Sequence, residues 1–144
     1  MWRVICRKIT TYTLMKNCKG TKRLDLYLEK YKDELFDKPL HVYLRSLAVE
    51  KGISPAQIAT QSCLGDYIYK IWSGVRKPTR NAVLSIAFGM RLSVDETQLL
   101  LRIGGFAGLD PRRRRDSALI FALEKEYGII EANELLDEIG EPLL

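Results

Sequence analysis

Apolar residues recur along this chain at helical spacing, and turn-forming residues separate one such stretch from the next. In residues 24–36, the apolar positions lie four, three and four residues apart, which places them on one face of a helix. Similar patterns predict further helices over residues 39–51, 55–62, 66–73, 80–89, 94–103, 111–127 and 130–139. A strand-like alternation occurs only weakly, in residues 2–14. The pattern therefore predicts an all-α fold.

Two of the predicted helices begin with a complete capping signal. Ser54 precedes a helix that has Pro55 in its first position, and Gln57 stands where a capping box requires it. Ser93 and Glu96 repeat the capping box before the helix at 94–103. These short-range patterns predict where both helices begin.

The net charge of +5 hides a steep gradient along the 144 residues. Residues 1–23 carry seven basic groups and no acid, a charge of +7, whereas residues 24–115 carry 15 basic and 10 acidic groups, a charge of +5. Residues 116–144 carry one basic and eight acidic groups, a charge of −7. Such asymmetry indicates one part that faces a polyanion and a separate, acidic part.

The charge gradient and the turn signals divide the chain into four segments. Residues 1–22 are predicted to form a basic, flexible N-terminal arm, in which Met15 offers an alternative start of translation. Residues 23–103 form the main helical domain. Residues 104–110 contain three glycines in seven positions and are predicted to act as a hinge. Residues 111–144 form an acidic pair of helices.

Composition and spacing argue against several classes of function. Three cysteines without CxxC spacing and a single histidine disfavour a disulfide scaffold, a metal site and a histidine-based triad. The glycines at 104–108 lack the preceding strand and the lysine of a P-loop. No apolar run approaches the roughly 20 residues of a membrane span, and no signal peptide is evident. We therefore expect a cytoplasmic protein that is not an enzyme, needs no cofactor and binds no membrane.

Residues 54–74 have the layout of a helix-turn-helix motif, with two short helices joined by a tight connection. The stretch 54–95 also contains Ala59 at the predicted helix crossing, a Gly-x-Arg-x-Pro turn at 74–78, and the segment LSIAFGMRLS after it. On these residues the chain resembles the lambda-repressor-like DNA-binding domain of the XRE family. A broader similarity, to a group of small, uncharacterised XRE-type proteins of Gram-positive bacteria, extends over most of the chain. The usual turn glycine of the family is Cys63 here.

The resemblance implies a sequence-specific, DNA-binding transcriptional regulator: a helix-turn-helix bundle with additional C-terminal helices that binds duplex DNA, commonly as a homodimer. The recognition helix would be residues 66–73, lying in the major groove. The candidates for base contacts are Asp66, Tyr67, Tyr69 and Lys70. The candidates for phosphate contacts are Gln57, Arg76, Lys77 and Arg80.

An alternative function stays open at this point. The same fold can serve as a protein-interaction module, for a toxin or a signalling kinase, without any role in DNA binding. Asp66 at the groove-facing start of the helix and the nearby tyrosines Tyr67 and Tyr69 are compatible with such a module.

Four consecutive arginines, Arg112, Arg113, Arg114 and Arg115, stand at the start of the predicted helix 111–127. They could form a second phosphate-binding patch, or remain a solvated charge run whose exposed ion pairs contribute about 0–1 kcal/mol each. They could also pair, within one chain or between subunits, with Glu124, Glu126, Glu131, Glu134, Asp137 and Glu138. Because DNA repels a segment with a charge of −7, residues 116–144 should face away from it. Core packing, a dimer contact and a docking surface for another protein are the roles we consider for them.

Overall fold

A computed structural model describes residues 9–144 of the chain. Residues 1–8, which include the first basic groups of the predicted arm, lie outside the described residues. The described part contains α-helices, one short 3-10 turn and no strand, which confirms the all-α prediction. The helices are α1 (Thr11–Gly20), α2 (Leu24–Lys30), α3 (Leu40–Lys51), α4 (Pro55–Gln61), α5 (Tyr67–Trp72), α6 (Arg80–Gly89), α7 (Val94–Ile103), α8 (Arg114–Glu124) and α9 (Ile129–Glu138).

One continuous apolar core joins the helices from α3 to α9. Helix α6 lies at its centre, since every residue from Ala82 to Gly89 is buried, and α4, α7 and α9 pack against it. The backbones of α4 and α6 approach closely: a Cβ added to Gly89 would lie 2.9 Å from the backbone nitrogen of Ser62. Glycine at position 89 therefore permits the end of α4 to pack directly on α6.

Both capping boxes form as their sequence signals predict. Ser54 Oγ accepts a hydrogen bond from the backbone nitrogen of Gln57 at 3.2 Å, and Gln57 Oε1 accepts one from the backbone nitrogen of Ser54 at 2.9 Å. Ser93 and Glu96 make the same reciprocal pair at 3.1 and 2.9 Å. The two boxes satisfy backbone donors at the starts of α4 and α7 that have no partner within their helices.

The segment predicted to be a flexible arm contains helix α1. This helix starts after a cap in which Thr10 Oγ1 accepts a hydrogen bond from the backbone nitrogen of Thr13 at 3.2 Å. Asn17 Nδ2 donates to Tyr31 Oη at 2.8 Å, which ties α1 to the end of α2. No residue of α1 is buried. The arm is therefore a surface helix over this range, and its sequence lacks the apolar periodicity by which a helix is predicted.

The apolar face predicted for residues 24–36 does not enter the core. Helix α2 ends at Lys30 and a 3-10 turn over Lys32–Glu34 follows, so the face is not continuous. Leu24 is 60% exposed and Leu28 is 42% exposed. The spacing predicted the start of the helix correctly but not its packing.

The glycine-rich segment 104–110, predicted to be a hinge, is held by side chains from other helices. Gln98 accepts from the backbone nitrogen of Leu109 at 2.6 Å and donates to its carbonyl oxygen at 2.8 Å. Arg80 donates to two further carbonyl oxygens of the segment, at 3.0 and 3.1 Å. Leu109 is buried. This connector is therefore bonded to side chains of α6 and α7, and apolar residues of α8 and α9 belong to the same core as those of the preceding helices.

Helix α8 begins later than predicted because a turn precedes it. The Asp110 side chain accepts from the backbone nitrogen of Arg112 at 2.9 Å, and the Asp110 carbonyl oxygen accepts from that of Arg113 at 2.9 Å. This local bonding replaces the first helical turn expected at Pro111. As a result, only Arg114 and Arg115 of the four arginines lie within a helix.

Candidate nucleic-acid interface

Helix α5, which corresponds to the predicted recognition helix, is fixed on its inner side. It is slightly shorter than the predicted 66–73. Ile68 and Ile71 are buried, and α3 and α4 pack against the helix. Arg45 of α3 donates through Nε to the carbonyl oxygen of Trp72 at 2.7 Å, which places a positive charge at the C-terminal end of α5. The side chains on the opposite face of α5 therefore point away from the core.

Three of the four base-contact candidates are exposed. Tyr69 is 46% exposed, and Asp66 and Lys70 are exposed as well. The fourth, Tyr67, is half-buried and packs against the core. The ring of Tyr67 therefore contributes to packing, and the candidate surface of α5 consists of Asp66, Tyr69 and Lys70.

The connection between α4 and α5 contains a residue in the left-handed conformation. Cys63 has a φ of 59° and is exposed with a free thiol. The neighbouring Ser62 is buried. A non-glycine residue pays about 1–2 kcal/mol in this region of backbone space. Cys63 thus adopts a conformation that glycine favours, at the position where the resemblance to the XRE family expects a glycine.

A turn after α5 presents two basic side chains. Gly74 has a φ of 80°, and the backbone nitrogen of Arg76 donates to the carbonyl oxygen of Lys70 at 3.1 Å, so the turn folds back on the helix. Arg76 and Lys77 are exposed. Within residues 9–144, the charged groups of Lys70, Arg76 and Lys77 have no hydrogen-bond or ion-pair partner. We call these three residues the basic strip.

Arg80, a phosphate-contact candidate, is occupied by contacts inside the protein. Its Nη2 lies 3.1 Å from Asp116 Oδ2 and its Nη1 lies 3.4 Å from Asp116 Oδ1. The Asp116 side chain is only 5% exposed. Together with the two bonds from Arg80 to the 104–110 connector, these contacts use four of the five N–H donors of the guanidinium. Arg80 therefore pairs with a buried carboxylate distant in sequence, and it does not belong to the basic strip.

Gln57, another phosphate-contact candidate, is also partly occupied. Its side-chain oxygen belongs to the capping box with Ser54. Its side-chain amide nitrogen bonds no residue in the described part of the chain and is exposed with the rest of the side chain. Gln57 therefore caps the start of α4. The positive charge of the candidate interface comes from the basic strip.

Two of the four consecutive arginines hold the C-terminal end of the chain. Arg114 and Arg115 donate to backbone carbonyl oxygens of residues 139–143 at 2.8–3.1 Å. Arg114 also lies 3.8 Å from the carboxylate of Glu141. Burial, together with the nearby charge of Arg80, lowers the pKa of Arg115. Both arginines therefore pair within the chain, but with C-terminal backbone oxygens, Asn81 and Glu141, and not with the acidic residues at 124–138 that were expected.

The other two arginines point to solvent. Arg112 and Arg113 are exposed, and their guanidinium groups bond nothing within residues 9–144. They fit a solvated charge run, and their charges remain unpaired for the second phosphate patch. The four residues thus do not act as one cluster, because the turn before α8 separates them.

The exposed acidic groups of the C-terminal segment, here called the acidic surface, lie on α8, on α9 and in the loop between them. Six of the eight acids in residues 116–144 are exposed. These are Glu124, Glu126, Glu131, Glu134, Asp137 and Glu138. Helix α9 packs chiefly against α6 and α8, whereas α5 packs chiefly against α3 and α4. The acidic surface and the basic strip therefore belong to helices with different neighbours.

Two residues that shape the site carry no sequence signal. Arg45 reaches the end of α5 from α3, 27 positions earlier in the chain. His41 lies against the turn after α5, since a Cβ added to Gly74 would lie 2.6 Å from His41 Cε1. Neither contact follows from local spacing, because each joins residues that only the packing of α3 on α5 brings together.

Two kinds of feature are absent from the described part of the chain. Residues 9–144 contain no group of three or more His, Cys, Asp or Glu side chains placed to hold a metal ion. Over the same residues, no helix is both long enough and apolar enough to cross a bilayer.

Comparison with protein-family models returns no match for this chain. Comparison with curated proteins and with solved structures likewise returns no match. The resemblance to the XRE family therefore rests on the motif residues between 54 and 95.

Proposed function

We propose that this protein is an XRE-type transcriptional regulator that binds duplex DNA through α5 and the turn after it. One observation carries the proposal. A helix fixed on its inner side presents Tyr69 and Lys70 outward, and the following turn presents Arg76 and Lys77 with their charges unpaired among the described residues.

The exposed side chains suit a DNA groove and its edges. Lys70 can donate to the acceptors of guanine, and Asp66 can accept from the amino group of cytosine. Arg76 and Lys77 can donate to phosphates beside the groove, which supplies affinity without sequence choice. Tyr69 adds an apolar ring with a polar tip. These assignments support insertion of α5 in the major groove, with Arg76 and Lys77 of the following turn on the adjoining DNA phosphates.

The full chain should bind a random-sequence duplex in a salt-dependent manner. Fluorescence anisotropy over about 50–200 mM salt measures this, and log affinity should fall linearly with log salt, with a slope of about −0.9 per phosphate contact. Selection from a random DNA library then measures sequence choice. For a two-fold dimer, it should return inverted half-sites about 10 bp apart. Undetectable binding, or binding that does not respond to salt, would contradict the proposal.

The second candidate function is a protein-interaction module, and the exposed carboxylate of Asp66 favours it. A carboxylate at the front of α5 is repelled by phosphates unless it meets a cytosine. Substitution Asp66→Asn should therefore raise the affinity for random-sequence DNA severalfold if α5 enters the groove. If α5 binds a protein instead, the substitution leaves the weak DNA affinity of the chain unchanged.

A further inference from the structure

A cavity of about 710 Å³ opens between the start of α3, the turn after α5 and the end of α7. Its apolar wall is formed by Leu40, Ile71, Ile103 and Phe106. All four belong to the core or pack against it. The cavity therefore borders the hydrophobic core. It also borders the basic strip, since Arg76 and Lys77 line it.

Two glycines shape this cavity by admitting rings close to their backbones. The His41 imidazole lies against Gly74, where a Cβ would approach within 2.6 Å of the ring. The Phe106 ring lies against Gly104, where a Cβ would approach within 2.9 Å of the ring. A side chain at either glycine would displace a wall of the cavity. Both walls thus depend on residues without a Cβ.

The charged side chains that line the cavity are both basic. Arg76 and Lys77 line it together with His41, and no acidic residue does. The guanidinium and ammonium groups have no partner within residues 9–144. An apolar space with two unpaired cations at its edge is complementary to a molecule that has an apolar body and one anionic group.

We propose that this cavity binds a small amphipathic carboxylate, with the apolar body between Ile71, Ile103 and Phe106 and the carboxylate on Arg76 or Lys77. The volume lies within the roughly 300–1,000 Å³ of small-molecule sites. A neutral apolar compound would leave the cations unused, and an alkylammonium would be repelled by them. The proposal does not depend on DNA binding, because the cavity is formed by the protein alone.

The test uses octanoate as the probe, with octan-1-ol and octylammonium as compounds of equal chain length. Isothermal titration calorimetry of the full chain should show octanoate binding about tenfold or more tightly than either comparison compound, as expected for a charge-assisted contact. Methyl NMR should show the largest shifts at Ile71 and Ile103. Equal affinity for the three compounds, no octanoate binding, or shifts confined to other residues would overturn the proposal.

Two variants locate the anionic and apolar parts of the site. The double variant Arg76→Gln, Lys77→Gln should remove the preference for octanoate over octan-1-ol, whereas Lys125→Gln, a neutralisation elsewhere on the surface, should keep it. Ile103→Trp should fill the cavity and abolish binding of both compounds. Thermal unfolding checks that this variant folds, and Ile103→Phe serves if it does not. Octanoate affinity that is unchanged in a folded cavity-filling variant would overturn the assignment.

Discussion

The guanidinium Nη2 of Arg80 lies 3.1 Å from Oδ2 of Asp116, and this ion pair joins the first turn of α6 to the first turn of α8. The same carboxylate oxygen accepts a hydrogen bond from the backbone nitrogen of Asp110 at 3.0 Å. Arg80 also holds the 104–110 connector. Arg80, which the sequence predicts as a phosphate contact, thus joins the C-terminal helices to the rest of the core.

Loss of Arg80 should destabilise the fold. Arg80→Ala leaves the buried Asp116 carboxylate without its charged partner, and we expect a loss of about 2–4 kcal/mol in the free energy of unfolding. Urea unfolding measures this. The double variant Arg80→Met, Asp116→Asn should lose less than Arg80→Ala alone, because no buried charge remains and the asparagine oxygen can still accept from the backbone nitrogen of Asp110. A loss below about 0.5 kcal/mol for Arg80→Ala would show that the pair behaves like an exposed one.

Loss of Arg76 should weaken DNA binding without destabilising the protein. The Arg76 side chain is exposed and unpaired in the described part of the chain, so its removal costs the fold little. Arg76→Ala should reduce the affinity for all duplex sequences and reduce the magnitude of the salt slope by about 0.9, the value for one phosphate contact. Lys125→Ala, which removes the same charge just after the end of α8, should leave the slope unchanged. An unaltered slope in Arg76→Ala would remove this residue from the proposed interface.

Loss of the outward side chains of α5 should relax sequence choice. In the double variant Tyr69→Ala, Lys70→Ala, the inner packing of Ile68 and Ile71 remains, so α5 should stay in place. Each lost base contact costs about 1–3 kcal/mol of discrimination. The affinity ratio between selected and random duplexes should therefore fall by about tenfold or more. If the selected sites from the variant match those of the wild type, bases are recognised elsewhere on the protein.

Glu96 should make stability depend on acid pH. Burial alone would raise the pKa of Glu96, but hydrogen bonds from Ser93 and the ion pair with Lys51, at 3.1 Å, outweigh it and lower that pKa. The unfolded chain therefore takes up the proton first as the pH falls. The stabilising contribution is present above the unfolded pKa, about 4.3, and is lost as the pH falls through the lower folded pKa.

Glu96→Gln isolates this effect because glutamine can keep the capping box. We expect it to lower the free energy of unfolding at pH 7 by about 0.5–1 kcal/mol. Between about pH 5 and pH 3 it should lose less stability than the wild type. Urea unfolding at several pH values measures both. Lys51→Met should reproduce part of the loss at pH 7. Curves for Glu96→Gln and wild type that run parallel through the acid range would contradict the assigned role.

The features that the sequence predicts well depend on contacts within a few residues. Each capping box joins residues three positions apart, as in Ser54–Gln57 and Ser93–Glu96, and the starts of α4 and α7 follow from them. The buried positions of α5 also follow from helical spacing, since Ile68 and Ile71 lie three residues apart. The all-α class and the exposure of Tyr69, Lys70, Arg76 and Lys77 were therefore predictable from local pattern.

The features that the sequence did not predict depend on residues far apart along the chain. Arg80 was predicted to bind phosphate, but its partner Asp116 lies 36 positions away. The 104–110 segment was predicted to be a hinge from its glycines, but Gln98 and Arg80 hold it from outside. The cavity between Leu40, Ile71 and Phe106 exists only because α3, α5 and the end of α7 converge there.

The sequence by itself determined most of the core helices, the two capping boxes and the charge gradient, because hydrogen bonds and periodicity over one helical turn specify them. Only the tertiary structure decided which charges are free. Arg76 and Lys77 lie in a turn at the surface with no acid beside them, whereas Arg80 and Arg115 meet a buried carboxylate and C-terminal carbonyl oxygens. The sequence alone does not distinguish the free guanidinium of Arg76 from the bonded ones of Arg80 and Arg115. The burial of Asp116 and the path of the C-terminal residues, both products of long-range packing, separate them.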